Sequence, residues 1–325
     1  MPPPAPAERL SHAREDSPTE GMLMTTTASS ARPARSHRNP FARASVGFVL
    51  PAMVLVAILL YIPFVYTTYL SFTEFSGLGT PEFIGWENYV TVFTDPTILR
   101  SLVNTAMWVV GTLVLPVGLG LLLAVLAHGI KGSAWYRLPF LLPYAISGVA
   151  VGLVWTFILQ TDGALTEALR FFGLPGADAR WLLDWPLNTF VMIVAATWQG
   201  AGVNALLFGI GLQSIPKEPI EAARIDGASG WNLFRYVTWP MLTPLTTVVI
   251  GLAIVGSLKT FDIVWAMTKG GPGRASETLA LTMFKETFTE YKYGLGAALA
   301  VVLTIVTVTS ALLYLRRQLA TAKEF

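Results

Sequence analysis

Cysteine is absent from the 325-residue sequence, so no disulfide, thiolate metal site or cysteine nucleophile is available. Histidine is nearly absent: His12, His37 and His128 lie too far apart in the chain to suggest a metal-ligand cluster. Charge is scarce as well. Only 13% of residues are Asp, Glu, Lys or Arg against 53% hydrophobic, with a mean hydropathy of +0.56. That balance is wrong for a water-solvated surface and points to lipid as the solvent. The net charge of +2 is small and scattered, which excludes a nucleic-acid face built to neutralise phosphates. No Gly-x-x-x-x-Gly-Lys-Ser/Thr phosphate loop occurs. Nor is there a catalytic pair at membrane depth, so no catalytic residue and no metal site is expected.

What the sequence has instead is six long runs free of Asp, Glu, Lys and Arg: 44–73, 101–130, 138–161, 185–216, 236–258 and 293–315. Each exceeds the ~20 residues that cross a hydrocarbon core as a helix. Barrel strands would be only about 10 residues long and alternate in polarity, so the runs predict an all-α membrane protein with six transmembrane helices. The expected spans are about 46–72, 101–128, 138–160, 187–213, 241–267 and 293–315, within a membrane domain of 46–316. Residues 1–45, rich in Pro, Ala, Ser and Arg, bury too little apolar surface to offset ordering and are expected as a disordered cytoplasmic tail. The first apolar run begins too late and runs too long for a secretory signal. Met1, Met22 or Met24 can each serve as the start. Residues 317–325 form the C-terminal end.

Lys and Arg are unevenly shared between the connections. Arg9, Arg14, Arg32, Arg35, Arg38, Arg43, Lys131, Arg137, Lys217, Arg224, Arg235, Arg316, Arg317 and Lys323 fall on one side. Half as many fall on the other: Arg100, Arg170, Arg180, Lys269, Arg274, Lys285 and Lys292. Positive connections stay inside, so both termini of this multi-pass chain are expected in the cytoplasm. Trp86, Tyr89, Trp181, Trp185, Tyr291 and Tyr293 fall near the outer ends, where amphipathic rings suit the headgroup layer.

The connection 214–240 between the fourth and fifth spans is too apolar and patterned for a bare solvent loop. Pro216 and Pro219 preset φ for a helix start, Glu218 and Glu221 suit its positive end, and Gly227 lets the backbone leave helical geometry. A short helix, a glycine turn and a second helical stretch leading to Pro240 are expected. Ile220, Ala223, Ala228, Trp231 and Phe234 then form an apolar ridge. It either docks into a groove on another protein or packs beneath the membrane helices of the same chain.

Glu221-Ala222-Ala223, Asp226-Gly227-Ala228, Phe234, Pro240 and Pro244 resemble the EAA loop of binding-protein-dependent ABC importers, with Val237 and Trp239 departing from the usual Ile and Leu. Phe261-Asp262, Thr268-Lys269-Gly270-Gly271-Pro272-Gly273, Glu277-Thr278-Leu279 and Tyr293-Gly294 resemble the carbohydrate subgroup, similar to the first subunit of maltose and glycerol-phosphate permeases. So do Phe83-Ile84-Gly85 and Asn88-Tyr89. The resemblance implies the type I ABC importer permease fold. It places Glu221, Ala222, Ala223, Asp226, Gly227, Ala228 and Phe234 in a coupling helix against a separate cytoplasmic ATPase dimer, which would bind ATP and Mg; no cofactor belongs to this chain. A second permease subunit completing a heterodimer, an extracytoplasmic solute-binding protein on the outer loops 161–185 and 269–292, and a sugar are the other implied partners. No nucleic acid is expected.

The substrate path is sought among polar groups inside spans. Trp198, Gln199 and Asn204 offer an indole face and amides, with Gly200 and Gly202 expected to loosen the helix between them. Lys259 and Asp262 stand three residues apart on the fifth span, where they can pair; a charge in a span defaults to a functional hypothesis. The alternative for these residues is structural, amides cross-linking helices and an ion pair facing a partner. A second function class, a secondary transporter driven by an ion gradient, would need coupling ions carried on Lys259 and Asp262 and leaves the EAA-like loop unexplained.

Overall fold

The computed structural model describes residues 41–130 and 138–321. The chain separates into two compact units, Met1–Val54 and Leu55–Phe325. Residues 1–40 of the expected tail lie outside the described residues, as do Lys131, Arg137 and Lys323 of the charge pattern. The described part of the first unit is helical from Phe41, within the stretch expected as tail.

Among the described residues, six helices are long and apolar enough to cross a membrane. In chain order the elements are α1 (Phe48–Leu70), β1 (Thr73–Glu74), β2 (Glu82–Phe83), α2 (Glu87–Thr94) and α3 (Pro96–Leu126). They are followed by α4 (Gly148–Leu159), α5 (Ala164–Phe171), α6 (Leu187–Ser214) and α7 (Lys217–Ile225). Then come α8 (Gly230–Leu258), α9 (Asp262–Thr268), α10 (Leu279–Phe288) and α11 (Tyr293–Thr321). The two short strands pair antiparallel, Thr73 opposite Phe83 and Glu74 opposite Glu82. Long connections (71–95, 160–186 and 259–292) gather at what we call the distal end. The connection 215–229 and the described residues 127–130 lie at the opposite, proximal end.

Three apolar clusters hold the second unit. Trp108, Val151, Leu159, Met192, Val264 and Leu281 join α3, α4, α6, α9 and α10. Val92, Ile98, Leu279, Ala298 and Leu299 join α2, α3, α10 and α11. Val117, Phe208, Leu212, Leu242 and Val249 tie α3, α6 and α8 nearer the proximal end. Three spans carry a π-helical turn beside a proline: Ala57–Tyr61 before Pro63, Leu113–Val117 around Pro116, and Phe234–Thr238 before Pro240. Proline has no N–H and crowds the carbonyl four residues back, so the ladder widens there.

Two spans are interrupted: the third within its charge-free run, and the fifth inside the expected 241–267, where its charge-free run ends at Lys259. The third reaches its regular helix only at Gly148, after a 3-10 turn at Leu142–Ala145. The fifth ends at Leu258 and resumes at Asp262. Irregular backbone within an apolar stretch persists only where protein neighbours or a cavity satisfy its polar groups, and both breaks meet neighbouring spans.

Candidate functional site

The 214–240 connection is built around one turn. Helix α7 carries Glu218 in its first turn and Arg224 in its last, complementing its dipole. Gly227, at φ +87°, closes it. Its N–H donates to the Arg224 carbonyl at 3.1 Å, and the Ala228 N–H donates to the Ala223 carbonyl at 2.8 Å. This is a Schellman motif, in which the two alanines meet and the glycine supplies the left-handed conformation. Nothing lies within 4 Å of where a Cβ on Gly227 would sit, so the demand for glycine is conformational rather than steric. The second helical stretch does not stop at Pro240: it passes through the π turn and becomes the fifth span, α8.

The expected apolar ridge divides. Trp231 is 71% exposed and Ile225 87% exposed at the tip, whereas Ile220, Ala223, Ala228 and Phe234 are half-buried. Ile220, Glu221 and Arg224 line a cavity of about 270 Å³ with His128, Leu212 and Leu233. Phe234 and Trp231 face a second, of about 510 Å³, with Leu121, Leu122 and Val125 of α3. One edge of the segment therefore packs on its own chain and the other is bare. Ala222 and Asp226 are exposed beside the turn.

The candidate path residues converge on the start of α4. The Gln199 amide donates to the Ile146 carbonyl at 2.7 Å, and Trp198, 41% exposed, meets Trp155 of α4 edge-on at 6.3 Å. Asp262 lies beside Gly148, where an added Cβ would approach the Asp262 Cβ to 3.3 Å. Asn204 departs from this group. Its amide donates to Gly200 of its own helix at 3.0 Å, and its Cβ is the atom an added Cβ on Gly120 would strike; it serves a helix contact. The expected pairing of Lys259 with Asp262 is not formed. Lys259 caps the end of α8, Phe261 takes φ −135°, and the helical i, i+3 relation is lost. Both side chains are exposed and no ion pair joins them.

Gly200 and Gly202 do not loosen α6, which is helical throughout its 28 residues. At Gly202 an added Cβ would run into the Phe140 carbonyl, a backbone group with little freedom to yield. Gly202→Ala is therefore expected to cost about 1–3 kcal/mol through overpacking, read as a lowered Tm of the purified protein in detergent.

A further site was not legible in the sequence. Glu277 is 0% exposed and gathers the Arg274 Nε at 3.0 Å, the Lys285 Nζ at 2.7 Å and the Thr282 hydroxyl at 2.8 Å. Arg274 also donates to Glu286 at 2.7 Å. Burial works against the charge on Arg274, but the bond to Glu286 and the charge of Glu277 outweigh it and raise its pKa above the usual arginine value. Asn104 of α3 completes the plug. Its amide donates to the Ala275 and Glu277 carbonyls at 2.8 and 2.9 Å, while its oxygen accepts from the Trp185 indole at 2.9 Å. Trp185, expected as a headgroup anchor, is 43% exposed and ties its indole N–H to α3. The available signal was Asn104 itself, an amide inside a charge-free run.

A family model described as the inner membrane component of binding-protein-dependent transport systems matches residues 116–321. The probable starch degradation products transport system permease protein AmyD of Thermoanaerobacterium thermosulfurigenes is 30% identical, covering 80% of this chain and 88% of the relative. The sn-glycerol-3-phosphate transport system permease protein UgpA of Agrobacterium fabrum is 33% identical, covering 80% and 89%. A solved bacterial ABC transporter involved in import of the acidic polysaccharide alginate aligns with TM-score 0.73 at 20% identity, over 86% of this chain and 96% of that one.

Proposed function

This chain belongs to the family of binding-protein-dependent transport inner membrane components, and from that premise we propose that it forms half of the membrane pathway of an ATP-driven sugar importer. A member of this family is a multi-pass membrane subunit without catalysis of its own. A second permease forms the other half, and a cytoplasmic ATPase dimer supplies ATP and Mg chemistry. The permease names of AmyD and UgpA support a carbohydrate or carbohydrate-like solute. Among the described residues assigned to the path only Lys259 is cationic, which favours a neutral sugar over a phosphorylated one.

The observation that carries this reading is the bare edge of the 217–234 segment. A helix closed by a Schellman turn, exposing Ala222, Asp226, Ile225 and Trp231, presents a preformed shape to a cleft in another protein. It is joined directly to α6 and α8, so a push on the turn moves two spans as rigid rods. In this reading the proximal end and both termini face the cytoplasm, following the positive connections. The distal connections 161–185 and 269–292 receive the extracytoplasmic binding protein. Glu221, Ala222, Ala223, Asp226, Gly227, Ala228 and Phe234 form the coupling element. Trp198, Gln199, Lys259 and Asp262 line the path. Asn204 is assigned to helix packing.

The test is affinity purification of the tagged chain from its native membrane in mild detergent. A second permease and a phosphate-loop ATPase are expected to accompany it, the ATPase being lost with Glu221→Lys. Recovery of the chain with neither would overturn the importer assignment.

A further inference from the structure

The break in the fifth span is held from outside that span. Thr278, fully buried, donates its hydroxyl to the Thr260 carbonyl at 2.7 Å, a group that the interruption between α8 and α9 frees from helical bonding. The same oxygen accepts from the Leu281 N–H at 3.4 Å and so caps α10. Thr278 directly follows Glu277, whose carboxylate is fixed by Arg274, Lys285 and Thr282. On its other flank the Leu279 N–H donates to the Thr105 hydroxyl of α3 at 2.8 Å. The 274–282 segment is thereby locked to α3 and α10, and one hydroxyl extends that lock to the break carrying Lys259 and Asp262.

We infer that Thr278 is a positioning residue for the solute path: it fixes the helix break in the fifth span relative to the charge-locked distal loop, so that displacement of the loop is transmitted to Lys259 and Asp262. The inference rests on the path assignment made above. Valine is nearly isosteric with threonine but has no hydroxyl, and serine keeps the hydroxyl without the methyl. Thr278→Val therefore frees the Thr260 carbonyl, and Thr278→Ser retains its bond.

The absence of cysteine makes the test direct. Single reporters Lys259→Cys, at the break, and Glu290→Cys, on the exposed turn after α10, are placed in the full chain in native membranes. Each is labelled with a membrane-impermeant methanethiosulfonate in Thr278, Thr278→Ser and Thr278→Val backgrounds. Loss of one buried hydrogen bond is expected to change the labelling rate at position 259 by about three- to tenfold. Position 290 should stay unchanged, and serine should restore the rate at 259. An unaltered rate at 259 with Thr278→Val would overturn the proposal. Equal changes at 259 and 290 would do so too, because Thr278 would then be a general packing residue. The readout needs neither solute nor ATPase, so failure of the importer reading in the purification test is told apart from failure here.

Discussion

Gly227→Val is expected to leave the protein inserted at normal abundance and to lower uptake by more than about tenfold. The Schellman turn needs φ near +87° at this position. A non-glycine residue there costs about 1–2 kcal/mol, and a β-branched one more, because Cβ crowds the adjacent carbonyl. A free-energy difference of about 1.4 kcal/mol is tenfold in the population of the correctly turned state. The turn is exposed and its Cβ position empty, so the loss falls on the local shape presented to a partner and not on the core. Gly227→Asn, which tolerates left-handed φ, should retain most uptake, with Gly227→Ala between the two. Membrane abundance and uptake measured across the series check this. Normal uptake by the valine variant would remove the turn from the coupling role.

Glu277→Ala is expected to be the most destabilising single change at the distal end. It leaves Lys285 without its carboxylate and Arg274 with Glu286 alone, and breaking a buried pair from one side costs about 3–5 kcal/mol. Marginal stability makes such a loss visible as reduced abundance. Glu277→Gln, which keeps the shape and an acceptor, should cost less. Removing the facing charge as well, in Glu277→Gln with Lys285→Met, should recover part of the loss, since partners in one network are not additive. Tm values of the parent, Glu277→Gln, Lys285→Met and the double variant in detergent measure the coupling. A glutamine variant as stable as the parent would show that the charge on Glu277 contributes little.

The parts legible in the sequence were those with local causes. Six spans follow from charge-free runs, because lipid excludes ionised groups along a whole segment. The turn at Gly227 follows from a glycine placed after a short amphipathic stretch. The break before Gly148 was hidden because a broken apolar segment has the composition of an intact one; what separates them is the Gln199 amide arriving from another span. The break after Leu258 falls where the charge-free run ends at Lys259, a signal that a span carried on to 267 passes over. For the same reason Lys259 and Asp262 read as an ion pair on a helix that is not there. Glu277 entered only as part of a family-like run, and its burial depends on Lys285 and Asn104, which no local pattern connects to it. Gly202 read as flexibility when its role is to admit the Phe140 carbonyl.

The Asn104 bonds cross 171 and 173 residues of sequence to reach the Ala275 and Glu277 carbonyls. The second span therefore enters the bilayer long before its acceptors have been synthesised, and its amide must wait for nearly the whole of the remaining chain. A nascent protein stopped ahead of Ala275 carries an unsatisfied polar group at a helix surface meant to be closed, a mark that distinguishes an unfinished permease from a finished one. Closure of the second span and emergence of the connection that follows the fifth are in this way a single event.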